Sequence, residues 1–279
     1  MSNELSLGFS PCPNDTFIFY ALVHGRIALE GQAFREPFLE DVEQLNSWAL
    51  AGKLDVTKLS CHALGHVLDE YCVLSAGSAL GRGCGPLLVA RAGGEDIELS
   101  GKRIAIPGRL TTAALLLQMF LHERCNLVEM RFDLIMDAIG RGEVDAGVII
   151  HESRFTYRER GLVCLQDLGE WWEKSFGLPI PLGCIVARRS LGEAKIRAID
   201  RAIKTSVDFA FRYPEMCLPY IRSKSQELEE AVVQSHIGLY VNDFSRGLGQ
   251  EGWAAIGAFL DKGRKAGILP ASGRPLSFG

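Results

Sequence analysis

Apolar residues in this chain gather into runs of two kinds. Short runs bounded by turn residues predict buried strands, and longer stretches closed by glycine predict helices. LSLGFS, residues 5–10, is of the first kind. The PCPND that follows supplies turn chemistry before TFIFYALVHG, a helix for which Asp15 is a good N-cap and Gly25 a good stop. A second strand is predicted over 33–38, then a helix from about 41 that Gly52 ends, then a strand over 55–60.

The same phrase returns about ninety residues later in RFDLIMDAIGRGEVDAGVII, where Gly142, Val144 and Asp145 correspond to Gly52, Leu54 and Asp55. Two copies of a helix, Gly, Asp, strand unit predict two lobes of like construction, since a solenoid needs more copies at shorter spacing. PLLVAR ends the first lobe, RAGGEDIELSGK reads as the exposed crossing point, and RIAIP with TAALLLQMFLHERC gives a new strand and helix. LGCIVARR, 182–189, is a strand leading back towards the first lobe, and helices are predicted over 195–213, 225–239 and 250–265. The expected fold is therefore α/β and two-lobed, with mixed sheets, flanking helices and an interlobe cleft. That order of elements is the type II periplasmic-binding-protein architecture. Residues 1–95 and 190–279 form a discontinuous lobe one on this reading, and 96–189 form lobe two.

Composition narrows the function. With 30 Lys and Arg against 34 Asp and Glu, the chain lacks the basic excess that a phosphate backbone demands, so nucleic acid is excluded as a partner. The start carries no basic stretch followed by an apolar run, and no window is apolar enough to span a bilayer; a cytoplasmic location away from the membrane is expected. Eight cysteines without a C-x-x-C pair read as small buried thiols.

Four stretches carry chemistry. SPCPNDTFIF places Asp15 at the mouth of a helix, where it either caps the chain or helps hold a ligand. AGSALGRGCGPLLV, 76–89, is a glycine-rich loop without the GK[ST] ending of a P-loop, and its glycines precede a strand, so no nucleotide cofactor is expected. Its backbone can approach a ligand closely, with Ser78 and Arg82 as candidate contacts; the plain alternative is a tight turn with a surface arginine. PGRLTTAALLLQMF sets Thr111 and Thr112 at a helix start that follows a strand, where they cap the helix, cradle a carboxylate, or do both. EVDAGVIIHESRFTY ends a buried strand in His151, either a hydrogen-bonded structural residue or, as the side chain best suited to proton transfer near neutral pH, a base. The equivalent strand end, KLSCH, brings Lys58 and Ser60 to face it across the cleft. Glu152 either orients His151 or points to solvent. His62 and His66 have the spacing of metal ligands but no third partner, so no metal is predicted. Trp171 and Trp172 either wall an aromatic ligand or fill a core.

Taken together, SPCPNDTFIF, DVTKLS, GSALGRGCGPLLV, the GRLTTA turn and IIHESRFTY resemble the 1,4-dihydroxy-6-naphthoate synthase family of the futalosine route to menaquinone. The resemblance covers residues 8–189 and shows no departure at the motif positions. It implies conversion of cyclic dehypoxanthine futalosine, an anionic small molecule, into 1,4-dihydroxy-6-naphthoate. This is a carbon–carbon cleavage that releases a sugar fragment and needs no cofactor. It also implies a histidine base matching His151. Two other readings stand beside it: a module of the same fold that binds an aromatic carboxylate without changing it, and a chorismate dehydratase.

Overall fold

The computed structural model describes residues 4–121, 125–225 and 229–278. Two mixed sheets organise it. In the first, the strands run in the order Phe38–Leu39, Leu7–Phe9, Val56–Ser60, Ile180–Arg188, Tyr71–Val73, with Ala79–Gly81 also paired to Ile180–Arg188. In the second, the order is Asn126–Glu129, Arg103–Ile106, Ala146–Ile149, Leu87–Arg91, Leu162–Asp167. Each sheet begins with three parallel strands and continues antiparallel.

The repeated phrase folds twice in the same way. Asp41 caps helix Val42–Leu50, Gly52 turns the chain at φ 60°, and strand Val56–Ser60 follows. In the second copy helix Ile135–Arg141 ends on Gly142 at φ 74° before strand Ala146–Ile149. The aspartates of the phrase do equivalent jobs. Asp55 accepts from the Ser6 N–H at 2.8 Å, and Asp145 accepts from the Arg103 N–H at 2.8 Å. Each carboxylate ties its strand to the start of the parallel neighbour.

Past its first turn, helix Pro13–Val23 is apolar on all sides because it is enclosed on all sides. The first sheet covers one face, where Phe9 and Phe19 stack at 4.4 Å, and helices Glu193–Arg212 and Pro214–Lys224 cover the other. Trp172 is fully buried with its indole N–H on the Pro179 carbonyl at 3.2 Å, so it fills a core. Among the described residues, no helix is long and apolar enough to cross a membrane.

The sequence reading needs correction in several places. The helix after PCPND begins at Pro13, whose missing N–H suits a first helical position, so Cys12 is the N-cap and Asp15 lies inside the first turn. The strand expected over 33–38 is two short strands, Ala33–Phe34 and Phe38–Leu39, interrupted at Pro37, which has no N–H to give a ladder. Leu87–Arg91 belongs to the second sheet, and RAGGEDIELSGK is a loop leading from it towards Arg103–Ile106. The outgoing crossing is therefore the segment 82–86, ahead of that strand. The returning strand Ile180–Arg188 lies wholly in the first sheet, so the return crossing precedes it. An additional helix, Pro214–Lys224, occupies a stretch whose two prolines argue against one; Pro214 sits at its start. The helices expected over 112–125 and 225–239 are Thr112–Phe120 and Glu230–Tyr240, and residues 122–124 and 226–228 of those expectations lie outside the described residues.

Candidate active site between the two sheets

Parallel strands present their carboxyl ends to the crevice between the sheets, the place where open α/β folds bind ligands. Strand Leu7–Phe9 delivers Ser10, strand Val56–Ser60 delivers Lys58 and Ser60, and strand Ala146–Ile149 delivers His151. They surround a cavity that Thr111, Thr112, His236 and Tyr240 complete. An outer cavity shares Ser10, Val42 and His151 with it, and adds Glu40, Asp41, Arg131, Phe132 and Glu152.

The floor of the inner cavity is a buried ion pair. Lys58 Nζ donates to Asp15 Oδ1 at 2.6 Å, with side chains 6% and 2% exposed. The carboxylate also accepts from the Ser10 hydroxyl at 2.8 Å and the Asn14 amide at 2.8 Å. Buried charges persist only when paired and hydrogen-bonded in this way. The ammonium has two further protons to give, so the floor remains a donor to an anion.

On one wall, two helix starts are laced together. Ser60 caps helix Cys61–Val67 and Thr111 caps helix Thr112–Phe120. Cys61 N–H donates to Thr112 Oγ1 at 3.0 Å, Ser60 Oγ donates to the Leu110 carbonyl, and Thr112 Oγ1 donates to the Leu182 carbonyl at 2.5 Å. Thr111 Oγ1 donates to the Gly108 carbonyl at 2.8 Å. The hydroxyl protons are therefore committed to the protein. What this wall offers an anion is the backbone N–H of Thr112 and Ala113, which the first helical turn leaves without intrahelical acceptors.

Facing the floor stands His151. Its φ of 57° makes it the one non-glycine residue with positive φ among the described residues. Its Nδ1 lies 3.6 Å from Cys12 Sγ, its ring is parallel to His236 at 6.0 Å and edge-on to Phe132 at 5.1 Å. Burial lowers its pKa below the ordinary 6.5, Glu152 and Asp15 pull it back up, and Lys58 pushes it down again. Burial holds His236 well below the usual imidazole range, with His151 and Lys58 adding to the effect. Cys12 is raised, first by burial and then by the Glu152 charge, and stays a thiol.

Two expected contacts are elsewhere. Arg82 is half exposed and bonds the Gly177 carbonyl at 3.1 Å and Glu251 at 3.0 Å, so the plain alternative of a surface arginine is the one observed. Ser78 is fully buried behind the cavity lining, where its carbonyl accepts from Ser245 Oγ at 2.9 Å. Asp15, Lys58, Ser60, Thr111, Thr112 and His151 all line the inner cavity.

The menaquinone-biosynthesis family model matches residues 5–265. The chain belongs to the menaquinone-biosynthesis family. The 1,4-dihydroxy-6-naphthoate synthase of Thermus thermophilus is 53% identical over 272 residues, 98% of each chain. That of Streptomyces coelicolor is 44% identical over 277 residues, 98% of this chain and 97% of its own. A crystal structure of an Archaeoglobus fulgidus protein superposes with a TM-score of 0.90 at 36% identity, covering 96% of this chain and 99% of that one. The periplasmic aliphatic sulphonate binding protein of Escherichia coli, at 12% identity, gives a TM-score of 0.66 over 97% of this chain and 90% of its own. Its likeness shows the fold alone: this member of the menaquinone-biosynthesis family has the periplasmic-binding-protein fold.

In this family member several residues brace the site that the sequence did not mark as doing so. Asn46 is fully buried, accepting from Ser60 N–H at 2.9 Å and donating to the Leu110 carbonyl at 3.2 Å, so it joins the two sheets' loops beside the cavity. Glu43 accepts from Leu110 N–H at 3.0 Å, and burial raises its pKa. Arg154 bonds the carbonyls of Gly83 and Gly85 and the carboxylate of Asp167, clasping the outgoing crossing to the end of strand Leu162–Asp167. His62 Nδ1 bonds the Thr111 carbonyl at 3.1 Å and so braces the wall.

Proposed function

We propose that the chain is a 1,4-dihydroxy-6-naphthoate synthase that cleaves a carbon–carbon bond of cyclic dehypoxanthine futalosine, with His151 as the base. The names of the two full-length relatives support the product, and His151 supports the chemistry. A non-glycine residue held at positive φ on the wall of both cavities is the observation that carries the reading, because such strain persists where the surrounding structure requires it.

The roles follow from the geometry. Burial keeps the His151 imidazole neutral near pH 7, the state a base needs. In the tautomer that keeps its hydrogen on Nδ1, the nitrogen 3.6 Å from Cys12 sulfur, Nε2 is free to take the proton. Lys58 and the N–H groups of Thr112 and Ala113 hold the carboxylate or the developing oxyanion. The electrons of the broken bond stay within the organic fragments and one of them becomes aromatic, so the reaction needs no external oxidant. Closure of the two units over the substrate excludes water from the intermediate.

The test is to incubate purified, metal-stripped protein with cyclic dehypoxanthine futalosine and to follow 1,4-dihydroxy-6-naphthoate by absorbance and mass. Product is the expected result. A folded protein that binds the compound without changing it is a binding module, and one that does not bind it is to be tried on chorismate.

A further inference from the structure

His236 and Glu152 approach each other from opposite sides of the cleft with nothing between them. Glu152 follows strand Ala146–Ile149 of the second sheet, and His236 lies on helix Glu230–Tyr240, which packs against helix Pro13–Val23 beside the first. His236 Nδ1 and Glu152 Oε2 are 3.8 Å apart, and both atoms are buried without a hydrogen-bond partner among the described residues. The tautomer of His236 can be deduced from its other side. Asp15, paired with Lys58, only accepts, so Asn14 turns its amide N–H to Asp15 and its oxygen to His236 Nε2 at 3.0 Å. That oxygen also only accepts, so Nε2 bears a hydrogen. A neutral His236 then points the bare lone pair of Nδ1 at a carboxylate oxygen. Two lone pairs buried face to face are unfavourable, and one proton between them turns the contact into a hydrogen bond once the units move roughly 1 Å closer.

We propose that Glu152 and His236 share one proton across the cleft, and that the departing fragment takes up this proton as His151 removes another from the substrate. The inference rests on the lyase reading and deepens it. Without an oxidant or reductant the proton count is conserved: one leaves the substrate at the atom His151 attacks. As the carbon–carbon bond breaks, its electron pair passes into the fragments, and the atom on which charge collects accepts one proton. The dyad is left as carboxylate and neutral imidazole, and the proton on His151 restores it for the next cycle. Electrostatics favour this division. The rings of His151 and His236 are parallel at 6.0 Å, so a proton gained by His151 is best accommodated when the neighbouring pair loses one. The cluster's net charge then stays constant throughout the step. The other charged or titratable groups facing the pair are Asp15 and Lys58 on the floor, Cys12 at the helix start, Tyr240 one turn along from His236, and Asp41 and Arg131 at the outer rim.

Glu152→Gln is the decisive variant, because its amide N–H can donate to Nδ1 and preserve the contact but cannot give up the proton. The expected result is a loss of about 10²-fold in kcat with KM changed by less than about threefold. The basic limb of the kcat profile should disappear while the acid limb remains. His236→Gln keeps an N–H for Asn14 and removes the facing lone pair, and should lose the same limb. Wild-type kcat with an unchanged profile in Glu152→Gln would overturn the proposal. Nitrogen-15 NMR of the histidines separates this from a failure of the lyase reading, because it needs no turnover. Nδ1 of His236 should report a shared proton that Glu152→Gln abolishes, and a free lone pair insensitive to that substitution sinks the dyad whatever the substrate is.

Discussion

As the proposed base, His151 must be neutral when substrate arrives, and its surroundings meet that condition by removing water. Its pKa lies below the ordinary 6.5 chiefly through burial. The acid limb of kcat/KM, which reports the free enzyme, should therefore have its midpoint below pH 6.5, activity falling only as His151 becomes protonated. A midpoint at or above that value would mean that Glu152 and Asp15 outweigh burial. The neighbouring thiol raises a second question, since cysteine beside histidine is also the pattern of a nucleophile. Burial and the Glu152 charge disfavour the thiolate of Cys12, so this contact positions an imidazole and activates no sulfur. His151→Ala is expected to lose about 10²–10⁴-fold in turnover and Cys12→Ala less than about tenfold. Equal losses in the two variants would reassign the chemistry to sulfur. The position of His151 at the cleft was legible in the sequence because it ends an apolar run at the equivalent of another strand end. Asn46 and His236 were not, although each left a trace: a polar residue on a buried helix face, among Leu45 and Ala49 in one case and Val233 and Tyr240 in the other. A single polar position on an apolar face reads as tolerated unless its partner is known, and both partners are remote in sequence.

Among the elements, the crossings between the sheets are tightly constrained. Gly85 on the way out and Gly169 beyond the end of the second sheet's edge strand meet backbone to backbone. A Cβ on Gly85 would lie 2.3 Å from Gly169 Cα, and a Cβ on Gly169 would lie 2.6 Å from Gly85 Cα. Arg154 fastens the same place through two carbonyls and Asp167. Gly169→Ala should therefore force the segments apart and cost about 1–3 kcal/mol or more in urea unfolding. KM should rise as well, because Cys84 and Pro86 of the outgoing crossing line the inner cavity. Full stability in this variant would show that the contact gives way without strain. The glycine-rich loop was legible as a place of close backbone approach, but its partner was not: the sequence leaves a ligand and a tight turn both open, and part of the loop's closeness serves another glycine. The repeated helix, Gly, Asp, strand phrase was the opposite case: helix stop, turn and strand are all local, so both copies could be placed from the chain alone.

For the molecule as a whole, stability and site share a wall. His62 is buried between helix Cys61–Val67 and the start of helix Thr112–Phe120, where its Nδ1–H donates to the Thr111 carbonyl. Burial, its largest influence, pushes its pKa down from 6.5 to about 4, and the Thr111 bond only partly opposes this. A group lowered in the folded state stabilises fully above its unfolded pKa and loses that contribution as pH falls towards the folded one. The window is therefore pH 6.5 down to about 4, and the contribution lost across it is about 3 kcal/mol. Since His151 and His236 are lowered in the same direction, acid should loosen the cleft from three places, and removing one histidine should remove only its share. His62→Asn retains an N–H for the Thr111 carbonyl and cannot titrate. Urea unfolding at pH 7.5 and 4.5 should show the wild type losing about 2–3 kcal/mol more than this variant between the two conditions. Equal losses would mean that the wall opens and hydrates His62 before the molecule unfolds, which would place the acid-sensitive motion at the cleft itself. In the sequence, His62 and His66 could be weighed only as metal ligands or helix residues. Their burial depends on a second helix that arrives about fifty residues later, and local pattern carries no information about it.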